Sequence, residues 1–190
     1  MGRKTPEKDI LADIDPDTAL DILMRLAEED GELKNKIRLT ALELLKGVDV
    51  EEVATDLFFI LNSLCVEKVW DNSGSTRYGY VDPTEYAWEM FENELEPFLK
   101  EMRTYRKLSM YDEAKNCCMG ILLGIHRFEE KATTEFANWC IDAPHDYFKQ
   151  VLDEWNDECQ RAEDIEMVNS FAKERFKEWW EQWERGRDQS

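Results

Sequence analysis

Glycine and proline are scarce in this 190-residue chain, with 8 and 5 copies. A fold of many short strands needs more tight turns than that supplies, so an all-β architecture is disfavoured. Histidine is scarcer still, at His126 and His145 only. A di-metal carboxylate bundle needs Glu-x-x-His twice, and here one histidine precedes Glu129 and Glu130 in the reverse order. No Cys-x-x-Cys pair occurs, which removes the common zinc-ribbon and dithiol signatures. A glycine-rich phosphate loop and a dinucleotide fingerprint are also missing. No uncharged apolar run reaches the roughly 20 residues of a spanning helix. Positive charge is in deficit: 24 Lys and Arg stand against 43 Asp and Glu, for a net charge of −19. DNA, RNA and anionic membrane surfaces would meet a repulsive field, and no basic block overrides it. Neither nucleic acid nor membrane is an expected partner.

The five cysteines, Cys65, Cys117, Cys118, Cys140 and Cys159, are odd in number, and the opening MGRKTPEKDI is charged. A reducing, cytoplasmic location is the expectation. Cys117 and Cys118 are adjacent, so on a helix they point about 100° apart and do not face one metal. Cys140, His145 and Cys159 are the nearest approach to a ligand set, and Cys140 with His145 is the one local nucleophile–base pair. Buried thiols more often pack as small apolar groups. No metal, no cofactor and no catalytic residue is assigned.

What the chain has in plenty is helical periodicity. The organising stretch is Ser109 to Lys131. Ser109 is read as its N-cap, with Asp112 three residues on. Ala114, Cys118, Ile121, Ile125 and Phe128 recur at three- and four-residue steps. Gly120 and Gly124 sit one turn apart. Each weakens a helix relative to alanine, so a neighbouring backbone is expected to come close there.

Asp15-Pro16 opens the first helix, with Ala19, Ile22, Leu23 and Leu26 on its apolar side and Gly31 as its stop. The second covers about 32–46, with Leu33, Ile37, Thr40 or Ala41, and Leu44 as its stripe. Asp49 and Glu52 form a capping box for a third helix running to Cys65. Residues 70–81, WDNSGSTRYGYV, are the longest polar break. They are read as a loop, a small hairpin or a domain seam, with Trp70, Tyr78 and Tyr80 as its aromatics. Asp82-Pro83 starts a helix with Ala87, Phe91, Leu95, Phe98 and Met102 on one face, which Pro97 should kink or split. A short helix follows Thr133 or Thr134. Another starts near Pro144 and carries Phe148, Leu152, Trp155 and Cys159. The last runs from Ile165 to about Arg185, burying Ile165, Val168, Ala172, Phe176, Trp179 and Trp183, with Trp180 beside that face.

These patterns predict an all-α fold of about seven helices. The architecture is antiparallel hairpins packed as a compact bundle or a short irregular helical-repeat array, in one domain over 1–190 with a possible seam at 70–81. Tyr111 to Ala114 spells the Tyr-x-x-Ala phrase of tetratricopeptide repeats, but the rest of that pattern is missing and no membership follows. Seven Trp, six Tyr and nine Phe are generous for this length, and Trp and Tyr are common interface anchors. The expected role is therefore a protein-interaction or self-association module, with a protein partner or a second copy bound through Trp180, Trp183, Trp179, Trp70, Tyr78 or Tyr80. The alternative is a small-molecule or metal-dependent enzyme with a site near 70–81 or 140–159.

Overall fold

Aspartates set the helix starts. The computed structural model describes residues 14–77 and 79–187. Helix α1 (Pro16–Glu29) is capped by Asp15, whose carboxylate accepts from the Thr18 N–H at 3.0 Å. Asp30 caps α2 (Gly31–Leu44), accepting from the N–H groups of Glu32 and Leu33 at 2.8 and 3.2 Å. Gly31, expected to end the first helix, is thus the first residue of the second. One extended residue, Asp30, makes the break and satisfies the orphan donors at once. Leu33, Ile37, Leu42 and Leu45 of the second helix region are half-buried, whereas Leu44 is exposed.

The residues group into two compact units divided between Lys46 and Gly47. The first unit holds α1 and α2, which contact each other as a helical hairpin. The expected seam at 70–81 lies inside the second unit.

That second unit begins with α3 (Val50–Asn62), where Asp49 accepts from the Glu51 and Glu52 N–H groups at 2.9 Å each. A short α4 (Val66–Asn72) follows and carries Trp70, so the start of the expected loop is helical. Strands β1 (Gly74–Thr76) and β2 (Gly79–Val81) then pair antiparallel, Gly74 opposite Val81 and Ser75 opposite Tyr80. Asp82 caps α5 (Pro83–Lys107), accepting from the Thr84 N–H at 2.8 Å. Helix α5 continues through Pro97 rather than splitting there. Position 97 is exposed, so the ring lies on the side where a lost backbone hydrogen bond can be replaced by water. Beyond it Leu99 and Met102 are buried and Phe98 only half so.

Ser109 does not cap the organising helix. It has φ +60, and its N–H donates to the Arg106 carbonyl at 3.0 Å while the Met110 N–H donates to Tyr105 at 2.9 Å. This pair of bonds is a Schellman motif closing α5. Helix α6 (Tyr111–Lys131) starts one residue further on, with no side-chain cap.

Helix α6 is the centre of the unit, contacted by α3, α5, α7 (Ala143–Glu158) and α8 (Ala162–Arg175). Twelve of its 21 residues are buried, including the unbroken run from Cys117 to Ile125. The two glycines are where α3 comes close. A Cβ on Gly120 would stand 2.6 Å from Val53 Cβ, and one on Gly124 would stand 3.1 Å from the Ala54 carbonyl oxygen. Phe91, Phe128, Phe148 and Trp155 fill the core from α5, α6 and α7. A 3-10 turn (Glu135–Trp139), capped by the Thr134 hydroxyl, links α6 to α7.

The chain leaves helical geometry at Phe176, with φ −128 and ψ 51. Helix α8, which begins at Ala162 rather than at the expected Ile165, therefore ends, and α9 (Lys177–Arg187) restarts with a new phase. The single last helix of the sequence reading is two. Among the described residues the fold is all-α, with nine α-helices, one 3-10 turn and one small hairpin.

Candidate functional site

The break at Phe176 decides where the aromatic anchors lie. Extrapolated from Val168 and Ala172 at about 100° per residue, helical spacing would bury Trp179 and turn Trp180 aside. With the phase reset, Trp180 and Trp183 are buried at 7% and 4% exposure, and Trp179 is half-buried. The Trp183 indole N–H donates to Asp153 on α7 at 2.8 Å. The Trp180 and Trp183 rings meet at 4.6 Å. The Trp180 N–H is itself buried, without a hydrogen-bond partner among the described residues. Trp180 forms one wall of a shallow groove along α8, of about 390 Å³, with Ile165, Asn169 and Lys173. Trp180 and Trp183 are thus buried within the second unit, and Trp179 is half-buried beside them.

Trp179 gathers both histidines. Its ring lies 5.0 Å from His126 and 5.4 Å from His145, with Phe148 at 4.9 Å. His126 also faces Phe176 at 4.7 Å and the Glu130 carboxylate at 3.5 Å. Burial holds its pKa below the usual value, Lys131 adds to that, and Glu130 opposes it. Cys140 and Cys159 do not join this group. The 14 residues from His145 to Cys159 span α7, roughly 21 Å of helix at about 1.5 Å per residue. The Cys140 thiol points back to the Phe136 carbonyl at 3.8 Å, and the Cys159 thiol contacts the Arg161 carbonyl at 3.7 Å. Burial, then the Glu129 carboxylate, pushes the Cys140 thiol up to about 12, which suppresses the thiolate a nucleophile needs. Among the described residues no group of three or more His, Cys, Asp or Glu side chains is arranged to hold a metal. No helix among them is long and apolar enough to cross a membrane.

A cleft of about 290 Å³ opens at the end of α7, lined by Arg106, Ser109, Tyr111, Trp155, Glu158 and Cys159 among others. The Arg106 guanidinium binds Glu154 at 3.1 Å and also Glu158. Its Nη1 and the Trp155 indole N–H are buried without hydrogen-bond partners among the described residues. Periodicity does not reveal this cleft, since its residues come from two distant stretches, 106–111 and 155–160.

The remaining expected anchors are exposed. Trp70 is 52% and Tyr80 70% exposed. Tyr78 lies outside the described residues. Exposed apolar side chains are also frequent on α1 and α2. Neither helix contains a buried residue. Leu20, Ile22, Leu23, Met24, Leu26, Leu39 and Leu44 are exposed by 40% to 81%. Of the residues expected on the apolar side of the first helix, Ala19 is half-buried, whereas Ile22, Leu23 and Leu26 are exposed.

Comparison with protein-family models, with curated proteins and with solved structures finds no match to this chain.

Proposed function

We propose that this protein is a helical interaction module whose contact surface is the apolar face of the α1–α2 hairpin. The observation that carries the reading is the combination of two 14-residue amphipathic helices with no buried residue in either. Isolated helices of that length are marginal in water, and two of them bury too little to stand alone. Large exposed apolar patches mark interaction sites. The test is the full chain with Leu20, Leu23 and Leu39 changed to serine. On a binding face, these substitutions abolish association and leave the melting temperature of the rest of the protein unchanged. A drop of several degrees in that melting temperature, with association intact, would mean that the face is internal packing.

A second reading, a small-ligand site, is favoured by the cleft beside Arg106 and Trp155. Two buried donors without partners among the described residues are costly to a folded protein, and an acceptor oxygen that reached either one from the cleft would relieve it. Quenching or enhancement of tryptophan fluorescence on titration with a small carboxylate, lost in Trp155→Phe, is the measurement that would favour it.

A further inference from the structure

We propose that the hairpin face docks on the same face of a second copy of this chain, with α1 of each copy lying against α2 of the other. This rests on reading the hairpin as the contact surface, and it names the partner. The choice is made by charge. Helix α1 carries Asp17, Asp21, Glu28 and Glu29 against Arg25, which is already drawn to Glu29 at 3.5 Å. Helix α2 carries Lys34, Lys36 and Arg38 against Glu32 and Glu43. All of these side chains are exposed. In a chain of net charge −19, the cations of α2 are a local exception.

A two-fold contact repeats each pair twice. Helix α1 against its own copy would set acid against acid, and α2 against its own copy would set cation against cation. Crossed pairing places carboxylates opposite cations in both halves, with the exposed leucines between them. Charges flanking an apolar seam fix partner and orientation in this way in helical assemblies. The product is a four-helix arrangement made of two hairpins, which covers every apolar stripe from a second side. A uniformly basic partner would suit α1 and repel α2, and a uniformly acidic one the reverse. A partner must carry both signs in this order, and a second copy does.

The experiment is sedimentation equilibrium of the full chain from about 1 to about 100 µM, near physiological salt. Wild type is compared with two charge-swapped variants, Lys34→Glu/Lys36→Glu/Arg38→Glu and Asp17→Lys/Asp21→Lys/Glu28→Lys. The expected result is a wild-type dimer and at least tenfold weaker self-association in each variant. An equimolar mixture should recover a heterodimer, because the acidic hairpin of one variant complements the basic hairpin of the other. Recovery also shows that neither variant failed merely by unfolding. A monomeric wild type overturns the second copy as partner, as does a dimer that neither swap weakens or a mixture that does not recover. Amide hydrogen exchange separates that failure from failure of the underlying reading. Fast exchange over residues 16–44 in a monomer leaves the face open for a foreign partner, whereas slow exchange means this same chain covers it and removes both.

Discussion

Gly120 of α6 and Val53 of α3 stand so close that a methyl group on the glycine would lie 2.6 Å from the valine Cβ, with the Val50 carbonyl oxygen at 3.0 Å. The obstacle is backbone and Cβ, not the end of a flexible side chain, so relief requires α3 to move. Alanine is worth about 1 kcal/mol over glycine in a helix interior, but overpacking costs about 1–3 kcal/mol. Gly120→Ala is therefore expected to lower stability by up to about 2 kcal/mol, seen as a lower denaturant midpoint at unchanged slope. Gly31, with nothing within 4 Å of an added Cβ, is the control, and Gly31→Ala should not destabilise. If the two variants behaved alike, the close approach would carry no energetic weight.

Ser109 gives a prediction of the opposite sign. Its φ of +60 is left-handed, which costs an L-residue about 1–2 kcal/mol. Glycine adopts it freely but loses roughly 0.5–1 kcal/mol more backbone entropy on folding. Ser109→Gly should then stabilise by about 0.5–1 kcal/mol, and Ser109→Val should destabilise by more than that. Thermal melts of the two variants test this, and a destabilised glycine variant would contradict it.

Much of this architecture is legible in the chain because it rests on local chemistry. Asp15, Asp49 and Asp82 cap the helices they precede, and the Gly120–Gly124 spacing marks the approach of a neighbour. The failures have a common physical source. A helix wheel assumes constant phase, and the chain resets it at Phe176, which turns Trp180 inward. Ser109 has the composition of an N-cap, but the Tyr105 and Arg106 carbonyls of the preceding helix recruit the backbone there first. Both histidines meet at Trp179 from two helices, a convergence set by tertiary packing alone. The stripes on α1 and α2 are read correctly as apolar, yet periodicity alone does not say what covers an apolar stripe.

Asp164 and Lys115 are both buried in the second unit, at 1% and 8% exposure, and Lys115 reaches Asp164 at 3.0 Å. Lys115 also binds Asp112 at 2.9 Å, and Arg161 approaches the far Asp164 oxygen at 3.2 Å. Burial alone would lower the lysine pKa, but the two carboxylates together hold it above its ordinary value. Removing one partner of such a pair leaves the other charge desolvated, at about 3–5 kcal/mol. Lys115→Met is expected to be destabilising in urea unfolding, short of that full cost because Arg161 still reaches Asp164, and Lys115→Met with Asp164→Leu less so. Additive losses in the double variant would mean the two charges are not coupled.

The thiols sort by exposure. Cys65 is exposed and Cys159 partly so, while Cys117, Cys118 and Cys140 are buried. Burial pushes Cys117 up to about 12, and Cys118 well above its usual value. A disulfide reagent at neutral pH should label one thiol quickly, a second slowly, and all five only in denaturant. Cys65→Ser should remove the fast phase. A fast phase that survives this change would place the reactive thiol elsewhere and reopen a chemical role for Cys140 or Cys159.

His126 makes stability depend on pH. Phe176, Trp179, Glu130 and Lys131 face it. Burial is the largest influence, Lys131 acts in the same direction, and Glu130 pulls the other way without prevailing, so the folded protein holds the proton less tightly than the unfolded chain does. The unfolded imidazole takes up its proton near about pH 6.5. Above that value both states are neutral, and the contribution of His126 is fully present. As pH falls below it, the unfolded state is protonated first and the contribution is lost. Urea denaturation at about pH 8 and about pH 5 should therefore find a steeper loss for wild type than for His126→Phe, which keeps a ring against Trp179 but cannot titrate. Because every other titrating group is common to the two proteins, the difference between their losses isolates this one imidazole. Equal losses would remove His126 as a source of pH dependence. A smaller loss for wild type would mean that attraction to Glu130 outweighs burial, and that the half-buried ring is a protonated partner in an ion pair.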